Sequence, residues 1–340
     1  GDRVTVAYTA EHASLSIARS TAEDIGSAAA RRLLASRRLS LVLDLDHTLL
    51  HATDDPRAEA AVRVLDARAT AAAGLLSPGA PPAHHTGIHP IHLPGLPQPM
   101  YVKHRPGLGH FLAAASRRFE LHIYTMGTRP YADAIARLID PTKELFSGRI
   151  TSRDDFTEGQ LNQKKLRHLF PCDDSMVLIV DDREDVWLDG GQTTVPNLIR
   201  ARPYEYFRGL HEAYNRTAAG LVEAQPVAGD QAQELSPHLL QLVAKWSEED
   251  ENDRGYLGRL TELLREVHEK FFAQIAEHKE NNGADVKIIV NAMRARTLRG
   301  CRLAFSRVFP VTEQPATTHA WSLARRLGAE CDETLRLVTT

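Results

Sequence analysis

An α/β fold with a mostly parallel sheet and helices on both faces is the architecture the sequence predicts, and three observations predict it. Short apolar runs recur at 41–45, 120–124 and 176–180, each running into a carboxylate or hydroxyl, as buried parallel strands do. Segments with helix-start chemistry, from Pro106 and from Thr128-Arg-Pro130, lie between them. After Gly209 the pattern turns helical, so the sheet domain closes near that residue.

Residues 1–40 read as a lead-in with two helix-like pieces, the second carrying the basic cluster Arg31, Arg32, Arg37 and Arg38 on a solvated face. Leu41 to Leu45 is the first strand of a domain spanning 41–209, and Asp44 and Asp46 emerge where it meets its loop. Residues 54–99 interrupt the pattern as an insertion: an Ala/Arg helix around Ala58–Ala73, then Pro78 to Pro82, then His84, His85, His89 and His92. The four histidines suggest a metal, but they lack a helical or strand frame, so the segment reads as a mobile Pro/Gly-rich loop. From Met100 strands are predicted at 101–104, 120–124, 148–152, 176–180 and 197–201, with helices at 106–117, 130–138 and 161–169. Residues 210–290 form a helical module, in which Leu257, Leu260, Leu264, Val267, Phe271 and Ile275 mark a core-facing stripe. The acidic stretch Ser247 to Asp253 before it reads as a solvated loop or helix end.

Open α/β sheets place their ligands at the carboxyl ends of the strands. Two carboxylates one residue apart at that position repel each other and call for a cation or a proton between them. The pattern Asp44-x-Asp46-x-Thr48 resembles the first motif of the haloacid-dehalogenase superfamily of aspartate-nucleophile phosphotransferases. Its partners follow in order: the hydroxyl of Thr125 beside a helix start, Lys164, and the pair Asp181 and Asp182 after an apolar run. A transport ATPase of related chemistry carries Lys where this chain has Leu45 and lacks the second Asp, which sets that class aside.

The segments Tyr101 to Gly107, Leu121 to Thr128, Ser152 to Asp155, Leu169 to Cys172 and Val180 to Trp187 narrow the resemblance. They are similar to the TFIIF-associated phosphatases of the RNA polymerase II C-terminal domain, over roughly residues 20–210 and more weakly to the end. The resemblance implies a haloacid-dehalogenase-like core, Mg2+ as cofactor, and a protein serine phosphatase acting on the phosphorylated heptad-repeat tail of the polymerase in the nucleus. TFIIF is the further partner it suggests. It assigns Asp44 as nucleophile, Asp46 as general acid and base, and Lys164 and Thr125 as phosphoryl-binding groups. Metal ligands would be Asp44, the backbone carbonyl of Asp46, and Asp182, with Asp181 orienting Lys164 or a water, although the sequence leaves the adjacent pair Asp181 and Asp182 unseparated. Thr48 would shape the loop and touch phosphate. Arg105 would contact phosphate or form a salt bridge tying insertion to core. The second- and fifth-position serines of the heptad stay unseparated.

Residues 291–340 resemble part of a BRCT domain: Thr297 to Ser306 its opening strand and turn, Ala320 to Ala329 its first helix, and Leu335 to Thr340 the next strand. Arg307 stands where that family usually has Gly, and the second half of the fold is not contained in the chain.

Composition sets the outer limits. Forty-one basic against 44 acidic side chains give a formal charge of −3, which argues against a dedicated nucleic-acid binder. Cys172, Cys301 and Cys331 are too few and too scattered for a disulfide framework or a zinc site, which suits a reducing compartment. No apolar run reaches membrane-span length, so no membrane partner is expected. Two other readings share the motifs: a small-metabolite phosphatase of the same superfamily, and a BRCT-type scaffold with a silent phosphatase core. The Pro-, Gly- and Ala-rich insertion does not look like a folded metabolite cap, which favours an open site for an extended tail.

Overall fold

The computed structural model describes residues 3–8, 13–76, 87–155, 163–188, 194–208, 210, 237–277, 283–305, 308 and 314–332. The chain opens with an antiparallel hairpin, β1 (Arg3–Tyr8) and β2 (Ala13–Ala18), followed by α1 (Arg19–Ala35). The first predicted helix-like piece is therefore a hairpin. Val4, Val6 and Leu15, Ile17 alternate with polar or small residues, a period that suits a strand.

β3 (Leu39–Leu43) is the centre of the main sheet. The next three strands do not join it. β4 (Leu50–Thr53), β5 (Ile88–Ile91) and β6 (Met100–His104) make a separate antiparallel sheet in the order β4-β6-β5, with α2 (Arg57–Leu76) between β4 and β5. Then come α3 (Leu108–Ser116), β7 (Phe119–Tyr124), α4 (Arg129–Ile139), β8 (Ile150–Thr151), β9 (Val177–Asp181) and β10 (Leu198–Arg200). The main sheet has the order β10-β9-β3-β7-β8, and every pairing in it is parallel.

The period of two along β3 sends Leu39, Leu41 and Leu43 to one face and Val42 to the other. The leucine face packs against α3, α4 and two helices of the helical module, α6 (Tyr256–Glu277) and α7 (Val286–Arg294). The predicted stripe on α6 is this contact: Leu257, Leu260, Leu264, Val267 and Phe271 are buried. The opposite face, with Val42, Tyr124, Val177 and Ile179, packs on Val186 and Trp187, while α1 lies over its start near Ser40 and His122.

The described parts of the insertion, 54–76 and 87–99, carry helix α2 and strand β5, while the Pro78 to Pro82 stretch lies outside the described residues. Ala58, Ala61 and Val62 of α2 and Ile88 of β5 share a second core with Tyr204, Phe207 and Trp246, the last from α5 (Pro237–Asp253). Of the four histidines, His84 and His85 lie outside the described residues, whereas His89 sits on β5 with its ring 4.6 Å from that of His104. A strand frame does exist there, and the short apolar spacing around Pro90 concealed it.

The acidic stretch is a helix end, the second of its two expected readings, and most of it is solvated. It forms the end of α5, where Asp250 pairs with Lys103 at 2.7 Å and Asp253 is buried against Arg105. Beyond α7, β11 (Arg302–Ala304) and β12 (Glu330–Asp332) pair in parallel around α8 (His319–Arg326). The strand after α8 thus begins earlier than predicted, and Ser306 and 333–340 lie outside the described residues. The edge strand β10 is covered by a side chain: the Arg294 guanidinium donates to the carbonyls of Pro196 and Leu198. That fills the place another strand would take.

Candidate active site

The register of the central strands builds the site. Leu43 pairs with Val180 on β9 and with Ile123 on β7, so Asp44 leaves the sheet beside Asp181, with Thr125 one strand over. The Asp44 amide donates to the Val180 carbonyl at 3.0 Å, holding the two strand ends together. Immediately after, the chain turns sharply. His47 has φ 59, and the Leu45 carbonyl accepts from the amides of Thr48, Leu49 and Leu50. Such positive-φ backbone is uncommon outside glycine and often marks a functional turn.

Three carboxylates converge there. Asp44, Asp181 and Asp182 are all buried and offer oxygens within 4.8 Å of one another. Lys164 Nζ lies 2.6 Å from Asp44 Oδ1 and 2.6 Å from Asp181 Oδ2, with its side chain 2% exposed. Its backbone is not the predicted helix. Residues 163–165 are irregular, Lys164 N donates to the Val186 carbonyl at 2.6 Å, and only Leu166–His168 make a single tight turn. With all three carboxylates ionised, one ammonium leaves two negative charges in a buried, all-oxygen donor set, which suits a hard divalent cation. These residues can therefore hold a metal.

The two adjacent aspartates are not equivalent. Asp181 accepts from Lys164, from Trp187 Nε1 at 2.8 Å and, through its other oxygen, from the Arg183 amide at 2.8 Å. Among the described residues, the Asp182 carboxylate has one side-chain donor, the Thr48 hydroxyl at 3.3 Å, and the Asp182 amide donates back to that hydroxyl at 3.0 Å. Asp182 thus keeps more acceptor capacity for a ligand, and Thr48 stitches the first-strand loop to β9.

On the other side, Tyr131 of α4 donates its hydroxyl to Asp46 Oδ1 at 2.5 Å. The helix is aimed by its cap, Thr128 Oγ1 accepting from the Tyr131 amide. Thr125 is buried and its hydroxyl accepts from the Gly127 amide at 3.0 Å. Gly127 has no room for more: a Cβ there would lie 2.4 Å from the Tyr131 ring.

Removal from water governs the protonation of the cluster. Burial, then the charges of Asp181 and Asp46, push Asp44 up to about 8 against the pull of Lys164. Asp46 is raised as well, first by desolvation, while the Tyr131 hydrogen bond works in the opposite direction. Lys164 loses hydration, yet the two carboxylates outweigh that loss and hold it above its ordinary value. Tyr131 is held well above the phenol range by burial and the charge of Asp46.

The structure thus brings together Asp44, Thr48, Lys164, Asp181 and Asp182, with Asp46 and Thr125 flanking them. Arg105 is the exception, and its reading as a phosphate contact is corrected. It is 1% exposed, two of its nitrogens donate to the carboxylate of Asp253 at 2.7 and 2.9 Å, and a third donates to the Thr48 carbonyl at 2.8 Å. All three nitrogens are engaged and the side chain is closed off from solvent, so it links the helical module to the Thr48 loop instead of facing a phosphate. Sequence reasoning missed Tyr131 and Trp187. Tyr131 stands three residues after the capping Thr128, but nothing local says that its hydroxyl reaches a residue 85 positions earlier.

Comparison with known proteins follows the same outline. A family model described as NLI interacting factor-like phosphatase matches residues 39–216. An RNA polymerase II C-terminal domain phosphatase of Schizosaccharomyces pombe is 40% identical over 213 residues, which are 61% of this chain and 27% of that protein. RNA polymerase II C-terminal domain phosphatase-like 4 of Arabidopsis thaliana is 32% identical over 303 residues, 88% of this chain and 59% of that one. The chain therefore spans less than two thirds of the length of either curated relative. The solved structure of Fcp1, an essential RNA polymerase II CTD phosphatase, is similar with a TM-score of 0.60 and 31% identity, over 91% of this chain and 84% of that one. The matched region contains both strand-end aspartate pairs and Lys164, and on that match the chain belongs to the NLI interacting factor-like phosphatase family.

Proposed function

We propose that this chain is a magnesium-dependent protein serine phosphatase that acts on the phosphorylated heptad-repeat tail of RNA polymerase II, with the phosphoryl group passing through Asp44. The observation that carries the chemistry is the buried contact of Lys164 with Asp44 at a strand end, beside an Asp46 held by Tyr131. The substrate rests on what the relatives are named for. Because the described parts of the insertion, 54–76 and 87–99, are folded, its composition no longer argues for an open site.

Phosphoserine esters need help at both ends of the reaction, since the phosphoryl group repels nucleophiles and the alkoxide leaves poorly. An Asp44 oxygen attacks phosphorus, the bond from phosphorus to the serine oxygen breaks, and Asp46 gives its proton to that oxygen. Asp46, now a carboxylate, takes a proton from a water that attacks the aspartyl-phosphate and releases inorganic phosphate. Desolvation that favours the protonated form of Asp46 suits the first step, and the Tyr131 hydrogen bond suits the second. Lys164 offsets the charge gathered by Asp44 and the phosphoryl oxygens, while Asp181 and Trp187 hold it in place. Thr125 supplies a hydroxyl to a phosphoryl oxygen. Asp44, Asp182 and the Asp46 carbonyl would hold Mg2+, which when bound neutralises charge on the transferring group. A nuclear location and an association with TFIIF belong to the same reading.

Phosphate release from heptad phosphopeptides of several repeats, with Mg2+ and with a chelator, tests the proposal against a sugar phosphate. The peptide should win by a wide margin in kcat/KM, and only with metal. Comparable values for the two substrates would restore the metabolite reading.

A further inference from the structure

A groove of about 500 Å³ runs between the edge strand β10, helices α6 and α7, and α8. Four guanidinium groups line it, from Arg200, Arg294, Arg296 and Arg326, against two carboxylates. Glu266 pairs with Lys270 and Arg296, while Glu184, which accepts from the Val195 amide, offsets part of the Arg294 charge. Among the described residues, Arg200, Arg294 and Arg326 have no carboxylate within ion-pair distance. Arg294 is held on the carbonyls of Pro196 and Leu198 and on Asn291, and burial and then the facing charge of Arg326 disfavour its cation, which an anion reached by its remaining N–H groups and by Arg326 would relieve. Leu263 and Leu323, 36% and 41% exposed, add apolar surface to the same walls.

The groove borders the reaction centre through Arg200. Arg200 ends β10 and its Nε donates to the Asp182 carbonyl at 3.1 Å. Two strand spacings separate β3, with Asp44, from β10, a lateral distance of about 10 Å. Three residues of extended chain span roughly the same distance.

We infer that this groove binds a second, non-reacting phosphoserine of the same tail, about three residues from the one being hydrolysed. The inference rests on the tail-phosphatase reading and adds a specificity site to it. Guanidinium forks match phosphate in charge and geometry, and the apolar walls accept the intervening chain. The α8 unit then contributes Arg326 to substrate choice while standing apart from the chemistry.

The test compares kcat/KM for three peptides of one length and sequence. One carries a single phosphoserine, one carries two phosphoserines three residues apart, and one carries two placed next to each other. The native chain should favour the three-residue spacing over both others by about tenfold, the scale of one charged hydrogen-bonding site. Raised salt should shrink that preference. Arg326→Glu should reduce it to within about twofold of unity, and Arg326→Lys, which keeps the charge, should retain part of it. If the charge reversal fails to fold in a melting experiment, Arg326→Gln takes its place with the same expectation. Equal kcat/KM for the three peptides with the native chain, or an unchanged preference in the folded Arg326 variants, overturns the groove while leaving the tail-phosphatase reading in place. Hydrolysis of none of them overturns both.

Discussion

The Tyr131 hydroxyl donates to Asp46 Oδ1 at 2.5 Å, so helix α4 lowers the proton affinity of the residue proposed to give up a proton and then take one. Tyr131→Phe removes the largest of the influences that lower the Asp46 pKa, so burial holds it higher still. Proton donation survives, whereas the hydrolytic step, which needs the carboxylate, slows by about tenfold. Rapid-quench measurement with an activated aryl phosphate should show a burst of aryl alcohol in Tyr131→Phe. Asp46→Asn should lose far more activity on phosphoserine than on the aryl ester, whose leaving group hardly needs a proton. Equal losses on both substrates would make Asp46 a structural residue.

Metal removal should abolish turnover, and Mg2+ should restore it. Since Asp182 accepts from one hydroxyl and Asp181 from three donors, Asp182→Asn should raise the Mg2+ concentration needed for half-activation much more than Asp181→Asn does. Titration of activity against Mg2+ in the two variants decides this. The opposite ranking would exchange their roles.

The Arg105 pair with Asp253 predicts a stability pattern. Their side chains are 0% and 3% exposed, so truncating either to Ala leaves a buried charge short of its partner and should cost about 3–5 kcal/mol. Arg202 also reaches Asp253 but is 50% exposed, and Arg202→Ala should cost no more than about 1 kcal/mol. Urea melting of the three variants measures the difference. Similar values would mean that the helical module is not anchored through Arg105.

Acid sensitivity should come partly from two histidines. His104 and His168 are pushed down to about 4, by burial first and then by neighbouring charges, from an ordinary value of 6.5. Between those values the unfolded chain binds more protons, so their contribution is present above pH 6.5 and lost as pH falls toward 4. The melting temperature should drop across that window, and less steeply in a His104→Gln, His168→Gln double variant. An identical slope would place the acid sensitivity elsewhere.

What could be read from the sequence was what local pattern encodes. Asp44, Asp181 and Asp182 stand at the ends of apolar runs, and parallel strands bring such ends together whatever lies between. The α6 stripe was legible for the same reason. Strand pairing is not local, so β6 read as a member of the main sheet although Tyr101 pairs with Thr53 and Pro90. Arg105 and Asp253 stand 148 positions apart, and only the folded chain shows why Asp253 is buried at its helix end. Lys164 was found by its charge, but its backbone follows the Val186 carbonyl rather than a helix.

The central claim is that Asp44 carries the phosphoryl group. Acid-quenching the chain within one turnover of a radiolabelled heptad phosphopeptide, then mapping the label by mass spectrometry, tests it most directly. The account predicts label on the Asp44 peptide, removed by hydroxylamine, with no label and no phosphate release in Asp44→Asn. Phosphate release by Asp44→Asn at a rate near that of the native chain would contradict it.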